Sequence, residues 1–133
     1  MCISSILFRL VTFRKRNVKI RGTVFSLDVA DTLPKQILGL MHRDSIGKWG
    51  GMLFVFRKDG MNSIWMANMR FPIDIIWLDA EGIVVGFEEM VKPCKSILNC
   101  RAYSPSKKSR YVIELKGGTA SSIGIRGGIR IRI

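Results

Sequence analysis

Residues Trp49–Asp79, WGGMLFVFRKDGMNSIWMANMRFPIDIIWLD, constrain the fold of this chain more than any other stretch. They hold three apolar runs of strand length separated by turn residues, and a segment this apolar belongs at the centre of the core. Met52–Phe56 is a continuous apolar run between Gly50-Gly51 and Arg57-Lys58-Asp59-Gly60. A short run bounded in this way reads as a strand buried on both faces. Lys58-Asp59-Gly60 is a turn signal, because Asp tolerates the left-handed region and Gly enters it freely. Ser63–Met66 is therefore expected to return as the second arm of a hairpin. Ile73–Leu78, IDIIWL, is a third strand, with Pro72 at its entrance where a missing N–H costs least. Asp79-Ala80-Glu81-Gly82 is a further turn, and Ile83–Phe87 its return strand.

The flanks add shorter elements. Asn17–Val29 alternates like a strand, but its apolar phase shifts near Val24, which predicts a β-bulge there. Leu33–Met41 reads as a short helix, with Asp31 or Thr32 as cap and Pro34 in the first turn. Ile37, Leu40 and Met41 share its apolar face. Gly39 inside it costs about 1 kcal/mol relative to Ala unless a close approach requires it. Glu88–Ser109 is a long irregular span containing Pro93, Pro105, Cys94 and Cys100. Arg110–Leu115 is a strand, Thr119–Ile123 a turn and a half of helix. Gly128–Ile133 is a terminal strand with Ile129, Ile131 and Ile133 inward and Arg130 and Arg132 outward. No strand is followed by a long crossover helix, which argues against a parallel doubly wound sheet. The fold class is mainly β: a small antiparallel β-barrel or rolled sheet of about seven strands with one or two short helices. The 133 residues suit one domain, 17–133, preceded by an N-terminal extension, 1–16.

Charge is distributed unevenly. The chain is 47% hydrophobic yet carries a net charge of +12. Arg9, Arg14, Lys15, Arg16, Lys19 and Arg21 face no acid in residues 1–21, and residues 92–133 hold ten bases against Glu114 alone. The segment between is slightly acidic. Basic ends of this kind suit a polyanion, such as single-stranded nucleic acid, or simply a solvated face. Residues 1–13 are too short and too interrupted by Arg9 for a transmembrane helix. Their charges follow the apolar run, the reverse of a secretory signal. A cytoplasmic protein is expected, with membrane-surface association through residues 1–16 left open.

Few residues offer chemistry. There is no Gly-x-Ser-x-Gly elbow, Walker loop or dinucleotide fingerprint. The single histidine, His42, has no nucleophile motif beside it. Met41, Met52, Met66 and Met69 are read as core filling rather than a soft-metal site, and no metal or cofactor is expected. Cys94 and Cys100 allow a disulfide closing a small loop, two free thiols, or half of a metal site. Asp74 stands out, because a carboxylate within an apolar strand is rarely buried without a partner. Arg43 or Arg70 could pair with it, and Asn68 could hydrogen-bond nearby. Two readings follow. Asp74 is either half of a structural ion pair, or part of a pocket in which Arg43, Asn68 and Asp74 orient a small polar or sugar-like ligand beside Trp65.

Several separate motifs resemble one known family, domain of unknown function 192. They are Gly39-Leu40-Met41, Arg43, Gly51–Phe56, Trp65-Met66, Asn68, Pro72–Ile76, Asp79, Gly82, Tyr111–Leu115, Gly118 and Gly124-Ile125, in family order over roughly residues 18–130. The resemblance implies a small, mostly β bacterial or archaeal protein and no established activity. The chain departs from the family pattern at Ile64, usually aromatic; Ala67, usually Lys; Met69, usually Thr; and Ile129, usually acidic. Cys94 and Cys100 resemble those of archaeal members. The expected function is a non-catalytic ligand-binding module with a pocket near Trp65, Asn68 and Asp74. The alternatives are polyanion binding through the basic termini, or an enzyme of unknown chemistry using Asp74 and Arg43.

Overall fold

The computed structural model describes residues 11–133. Residues 1–10 of the possible membrane-associating extension, 1–16, lie outside these residues. The elements are β1 (Lys15–Ile20), β2 (Thr23–Ala30), α1 (Leu33–Leu38), β3 (Gly50–Gly60), β4 (Ile64–Trp65), β5 (Ile73–Leu78), β6 (Val84–Val91), β7 (Ala102–Tyr103), β8 (Ser109–Lys116) and α2 (Thr119–Ile123). Six strands form one sheet in the order β1-β2-β3-β8-β5-β6, and β4 pairs with β7 in a small second sheet. The protein is mainly β. Its large sheet is open rather than closed, and every neighbouring pair is antiparallel except β2–β3. Parallel neighbours need a crossover of a dozen or more residues. Residues 31–49, containing α1, supply it.

Three details differ from the sequence reading. The phase shift near Val24 is a hairpin turn, not a bulge: Arg21 and Gly22 both have positive φ, and Ile20 pairs with Thr23. Lys58-Asp59-Gly60 does not make a hairpin: β3 continues through it, but with its register on β8 shifting between Val55 and Gly60, and Ile64-Trp65 pairs with Tyr103 and Ala102 instead. The turn-prone residues form that irregularity, and pairing with β8 resumes at Gly60, opposite Ser109. The C-terminal segment is not a full strand. It meets β6 through a single bridge, Ile83 to Arg130, with Ile131 N–H donating to the Gly82 carbonyl. The alternation expected there nevertheless holds, since Ile131 is buried and Arg130 and Arg132 are exposed. The β5–β6 hairpin is as expected, its turn closed by Asp79, whose Oδ1 accepts from the backbone N–H of Glu81 and Ile83.

Both faces of the sheet are covered, which explains the continuous apolar runs. One face packs Phe25, Leu27, Leu53, Ile76, Ile113 and Leu115 against Ala120, Ile125 and Ile131 from α2 and the C-terminal segment. The other packs Met52, Phe54, Ile73, Ile75, Trp77 and Val112 beneath Leu40, Met66 and the β4–β7 layer. Burying apolar area stabilises by roughly 25 cal/mol per Å², so β5, buried at every position, is a main anchor of both layers. Gly51 lets the strands close up: its φ is +155°, and a Cβ there would land on the Glu114 carbonyl oxygen. The helix α1 exposes Leu33 and Ile37 and buries Leu38, with Leu40 and Met41 buried just beyond it. Gly39, at φ +48°, ends the helix, and a Cβ there would press on the Phe54 ring at 3.3 Å. Close approach is thus the reason for this glycine.

Candidate functional site

Strand alternation sorts the acids of the sheet. Successive side chains point to opposite faces. Asp74 pairs in register with Leu115, whereas Ile75 pairs with Glu114. Asp74 therefore shares the face of Leu115, and Glu114 shares the face of Ile75 and Met52. Both carboxylates are buried, Asp74 fully and Glu114 with 4% exposed. Their surroundings differ completely.

Asp74 is a structural carboxylate in its geometry. Its Oδ1 accepts from the N–H groups of Met90 (2.8 Å) and Gly118 (3.1 Å), and its Oδ2 from that of Ala120 (2.7 Å). Three backbone donors, two of them at the start of α2, tie that helix and the end of β6 to β5. The expected partners are elsewhere. Arg70 pairs with Asp44 at 2.6 Å and Arg43 with Asp28 at 2.8 Å. Asp74 and Arg43 thus lie on opposite sides of the sheet, so the two do not form one catalytic or ligand-orienting cluster. Asn68 and Trp65 lie on the side of Arg43. Asn68 sits at φ +58°, its carbonyl accepts from His42 N–H at 3.0 Å, and its amide donates to the Met41 sulfur at 3.7 Å. It joins the loop after α1 to the loop after β4.

Glu114 faces a pocket of about 260 Å³ between α1 and β4, lined by Gly39, Met41, Phe54, Trp65, Ala67 and Met69 among others. Trp65, 45% exposed, stands at its rim. No hydrogen bond to the Glu114 carboxyl is made among the described residues, and no buried side-chain polar atom is stranded wholly out of solvent reach. The carboxyl therefore meets the pocket space. Burial pushes its pKa up to about 8, against the opposing pull of the Arg43 charge. At neutral pH it is mainly a protonated acid, a hydrogen-bond donor on an apolar floor.

Register explains how Arg43 reaches it. Asp28, Met52 and Glu114 are partners across β2, β3 and β8. At about 4.8 Å per strand, the two acids sit about 10 Å apart on one face. Arg43, from the loop after α1, comes down on Asp28. Burial raises the pKa of Asp28, but hydrogen bonds from Lys15 and Arg43, together with their charges, outweigh it and hold the carboxyl below its ordinary value. One acid of the row is ionised and satisfied; the other is neutral and open to the pocket.

The family model for domain of unknown function 192, "Uncharacterized ACR", matches residues 16–133. The chain belongs to this family. Among relatives of this DUF192 chain, a UPF0127 protein of Thermococcus gammatolerans is 33% identical over 104 residues, 77% of this chain and 62% of the relative. A UPF0127 protein of Thermococcus kodakarensis is 31% identical over 102 residues, 75% of this chain and 59% of that protein. The chain thus spans about 60% of the length of these archaeal relatives. Two crystal structures share the fold at 27% identity. One is a protein of unknown function from Novosphingobium aromaticivorans, with a TM-score of 0.80 over 91% of this chain and 85% of that one. The other, described as a candidate transcription regulator from Sinorhizobium meliloti, has a TM-score of 0.77 over 92% and 95%.

Two positions of this DUF192 member bear on the pocket. Ala67 and Met69, where the resemblance leads one to expect Lys and Thr, both line it. A methyl group and a thioether leave the cavity floor apolar and Glu114 without a neighbouring ammonium. The sequence reading had missed Glu114. Its signal was the same as that of Asp74, an acid within an apolar strand, RYVIEL. Cys94 and Cys100 are joined by a disulfide, with their Cα atoms 5.3 Å apart. Among the described residues, no helix is long and apolar enough to cross a membrane.

Proposed function

We propose that this chain is a non-catalytic ligand-binding domain whose small ligand occupies the pocket between α1 and β4. The apolar body of the ligand rests against Trp65, Phe54 and Met41, and a hydrogen-bond-accepting group meets the Glu114 acid. One observation carries the reading: a nearly buried carboxyl without a hydrogen-bond partner among the described residues opens into an apolar cavity. Leaving a polar group in that state is costly, and a ligand acceptor removes the cost. The cavity is at the small end of ligand sites, which run from about 300 to 1,000 Å³. With one titratable lining residue, it suits a mainly apolar molecule with one polar end better than a sugar. Trp65 keeps the role foreseen for it; Asn68 and Arg43 hold the surrounding loops, and Asp74 lies outside the site.

Binding is favoured over catalysis because the acid stands alone. General acid–base chemistry needs a second group positioned on the reacting atom. The hydroxyl nearest in the lining, Ser63, is engaged with Ser104 Oγ at 2.5 Å. Titration with benzamide, an aromatic ring carrying one carbonyl acceptor, tests the reading by NMR. Saturable shifts should centre on Ile37, Phe54, Trp65 and Glu114, and the affinity should fall about tenfold in Glu114→Met, which removes the donor, or in Trp65→Ala. Shifts scattered over the surface, or an unchanged affinity in both variants, would reject the site.

The polyanion reading draws support from the net charge of +12 and from the likeness to the Sinorhizobium chain. Single-stranded oligonucleotide shift assays at rising salt decide it: affinity that does not fall steeply excludes phosphate contacts.

A further inference from the structure

The loop between β6 and β7 carries two features that the pocket does not use. At its tip, in a short 3-10 turn (Ile97–Asn99), Leu98 is 90% exposed and Ile97 60% exposed. The turn is capped: Ser96 Oγ accepts from Leu98 N–H at 3.3 Å. The disulfide closes the loop at its base, and Cys94 N–H donates to the Met66 carbonyl at 3.3 Å. The two apolar side chains are therefore held out into water by a stapled, anchored scaffold.

Beside the tip lies a hollow of about 380 Å³ lined by Lys92, Lys95, Ser96, Asn99, Arg101 and Tyr103. Arg101 lies over the Tyr103 ring at 4.6 Å. Residues 92–110 contain six bases, Lys92, Lys95, Arg101, Lys107, Lys108 and Arg110, and no acid. Arg110 is engaged with Asp59 at 2.9 Å. The other five have no carboxylate within ion-pair distance among the described residues.

We infer that this loop docks the protein on an anionic phospholipid bilayer, with Ile97 and Leu98 entering the headgroup region and a lipid phosphate seated in the basic hollow. The two halves of the loop match the two halves of such a surface. Clustered bases are drawn to the negative leaflet, and aliphatic side chains gain by leaving water at its boundary. Nucleic acid accounts for the bases only. It is gripped by phosphate contacts and aromatic stacking, yet the tip residues have no aromatic face, and Arg101 covers one face of Tyr103.

Co-sedimentation with vesicles of phosphatidylcholine, with and without phosphatidylglycerol, tests the inference. Binding should require phosphatidylglycerol and fall with salt. Leu98→Asp should weaken it about tenfold or more, since burying a leucine contributes about that much. Lys92→Ala and Lys95→Ala together should weaken it more than tenfold, because each base near an anionic surface contributes about fivefold. At 90% exposure, Leu98 can be replaced without loss of fold, which an unchanged melting temperature verifies. Leu98→Trp gives a second measurement: its fluorescence should shift to the blue on anionic vesicles and be quenched by brominated lipid. Equal partition onto both vesicles, no effect of Leu98→Asp, or an unquenched Leu98→Trp would overturn the proposal. So would tight binding of a single-stranded oligonucleotide that also displaces the protein from vesicles and is insensitive to Leu98→Asp.

Discussion

Glu114→Gln should leave stability unchanged in acid and raise it in base. The side-chain pKa is 4.5 in the absence of the fold and about 8 within it, because burial disfavours the anion more than the Arg43 charge favours it. Between those values the folded state binds a proton that the unfolded chain has released, so stability falls as pH rises. Each pH unit in that window costs up to 1.36 kcal/mol. Across the whole window the loss approaches about 5 kcal/mol, an upper limit because the pocket admits water. Half of it is about 2–3 kcal/mol, which for a domain of this size is about 10 °C in melting temperature. Glutamine keeps the shape and does not titrate. Melting temperatures of both proteins from pH 4 to pH 9 at constant ionic strength give the contrast, and every other titrating group cancels in the difference. The gap should open with a midpoint between pH 4.5 and 8 and favour the glutamine protein. A pH-independent gap would show that Glu114 titrates alike in the folded and unfolded chain, and a glutamine protein that is the weaker above pH 8 would show that the carboxylate is ionised and paired in the fold. The neutral donor on which the pocket reading relies would then not exist.

Asp74→Ala should cost about 3–5 kcal/mol in urea unfolding, since it removes the acceptor of three backbone N–H groups, one buried and two part-buried; benzamide shifts around Trp65 should be unaffected at temperatures where the variant is folded. Arg43→Ala should cost about 1–3 kcal/mol by leaving the buried Asp28 with Lys15 as its one remaining ion-pair partner among the described residues. By ¹³C NMR of the carboxyls it should also move the Glu114 titration upward and that of Asp28 toward its ordinary value. Reducing the Cys94–Cys100 disulfide opens a loop of seven residues, which the chain-entropy model values at about 2 kcal/mol; calorimetry with and without reductant measures the loss.

Local patterns foretold what local forces decide. The β5–β6 hairpin was legible because Asp79 and Gly82 make a turn by themselves and the flanking runs are apolar. The helix after Thr32 and the mainly β class were legible for the same reason. What failed was long-range. The Lys58-Asp59-Gly60 turn signal is real as a propensity, but it is expressed as a break in the β3–β8 register rather than a hairpin, because β3 rejoins β8 at Gly60, opposite Ser109, about fifty residues away in sequence. The hairpin at Arg21-Gly22 reads as a bulge in the sequence because the apolar phase shifts near Val24, and Arg, an unusual residue at positive φ, does not announce a turn. The site was half legible. Trp65 could be chosen as an aromatic beside polar groups, but the pairing of Arg43 with Asp28 rather than Asp74 depends on which face each strand presents. That follows from register, which the sequence does not print.

The same argument separates the two acids that the sequence cannot tell apart. IDIIWL and RYVIEL each place one carboxylate in an apolar strand, and the strands are neighbours. A one-residue offset in their pairing sends Asp74 to the face covered by α2 and Glu114 to the face covered by α1 and β4. On the first face a helix begins directly above, and its free N–H groups satisfy the charge. On the second, the nearest helix ends at Gly39, Ala67 offers only a methyl group, and among the described residues no side chain hydrogen-bonds the carboxyl. An acid satisfied by three backbone donors and fully enclosed offers nothing to a ligand and explains a fold. An acid buried to the same degree without such donors is a standing energetic cost, and the fold tolerates it only where something else meets that group. Function is therefore sought at Glu114, on the strength of what its neighbours leave undone.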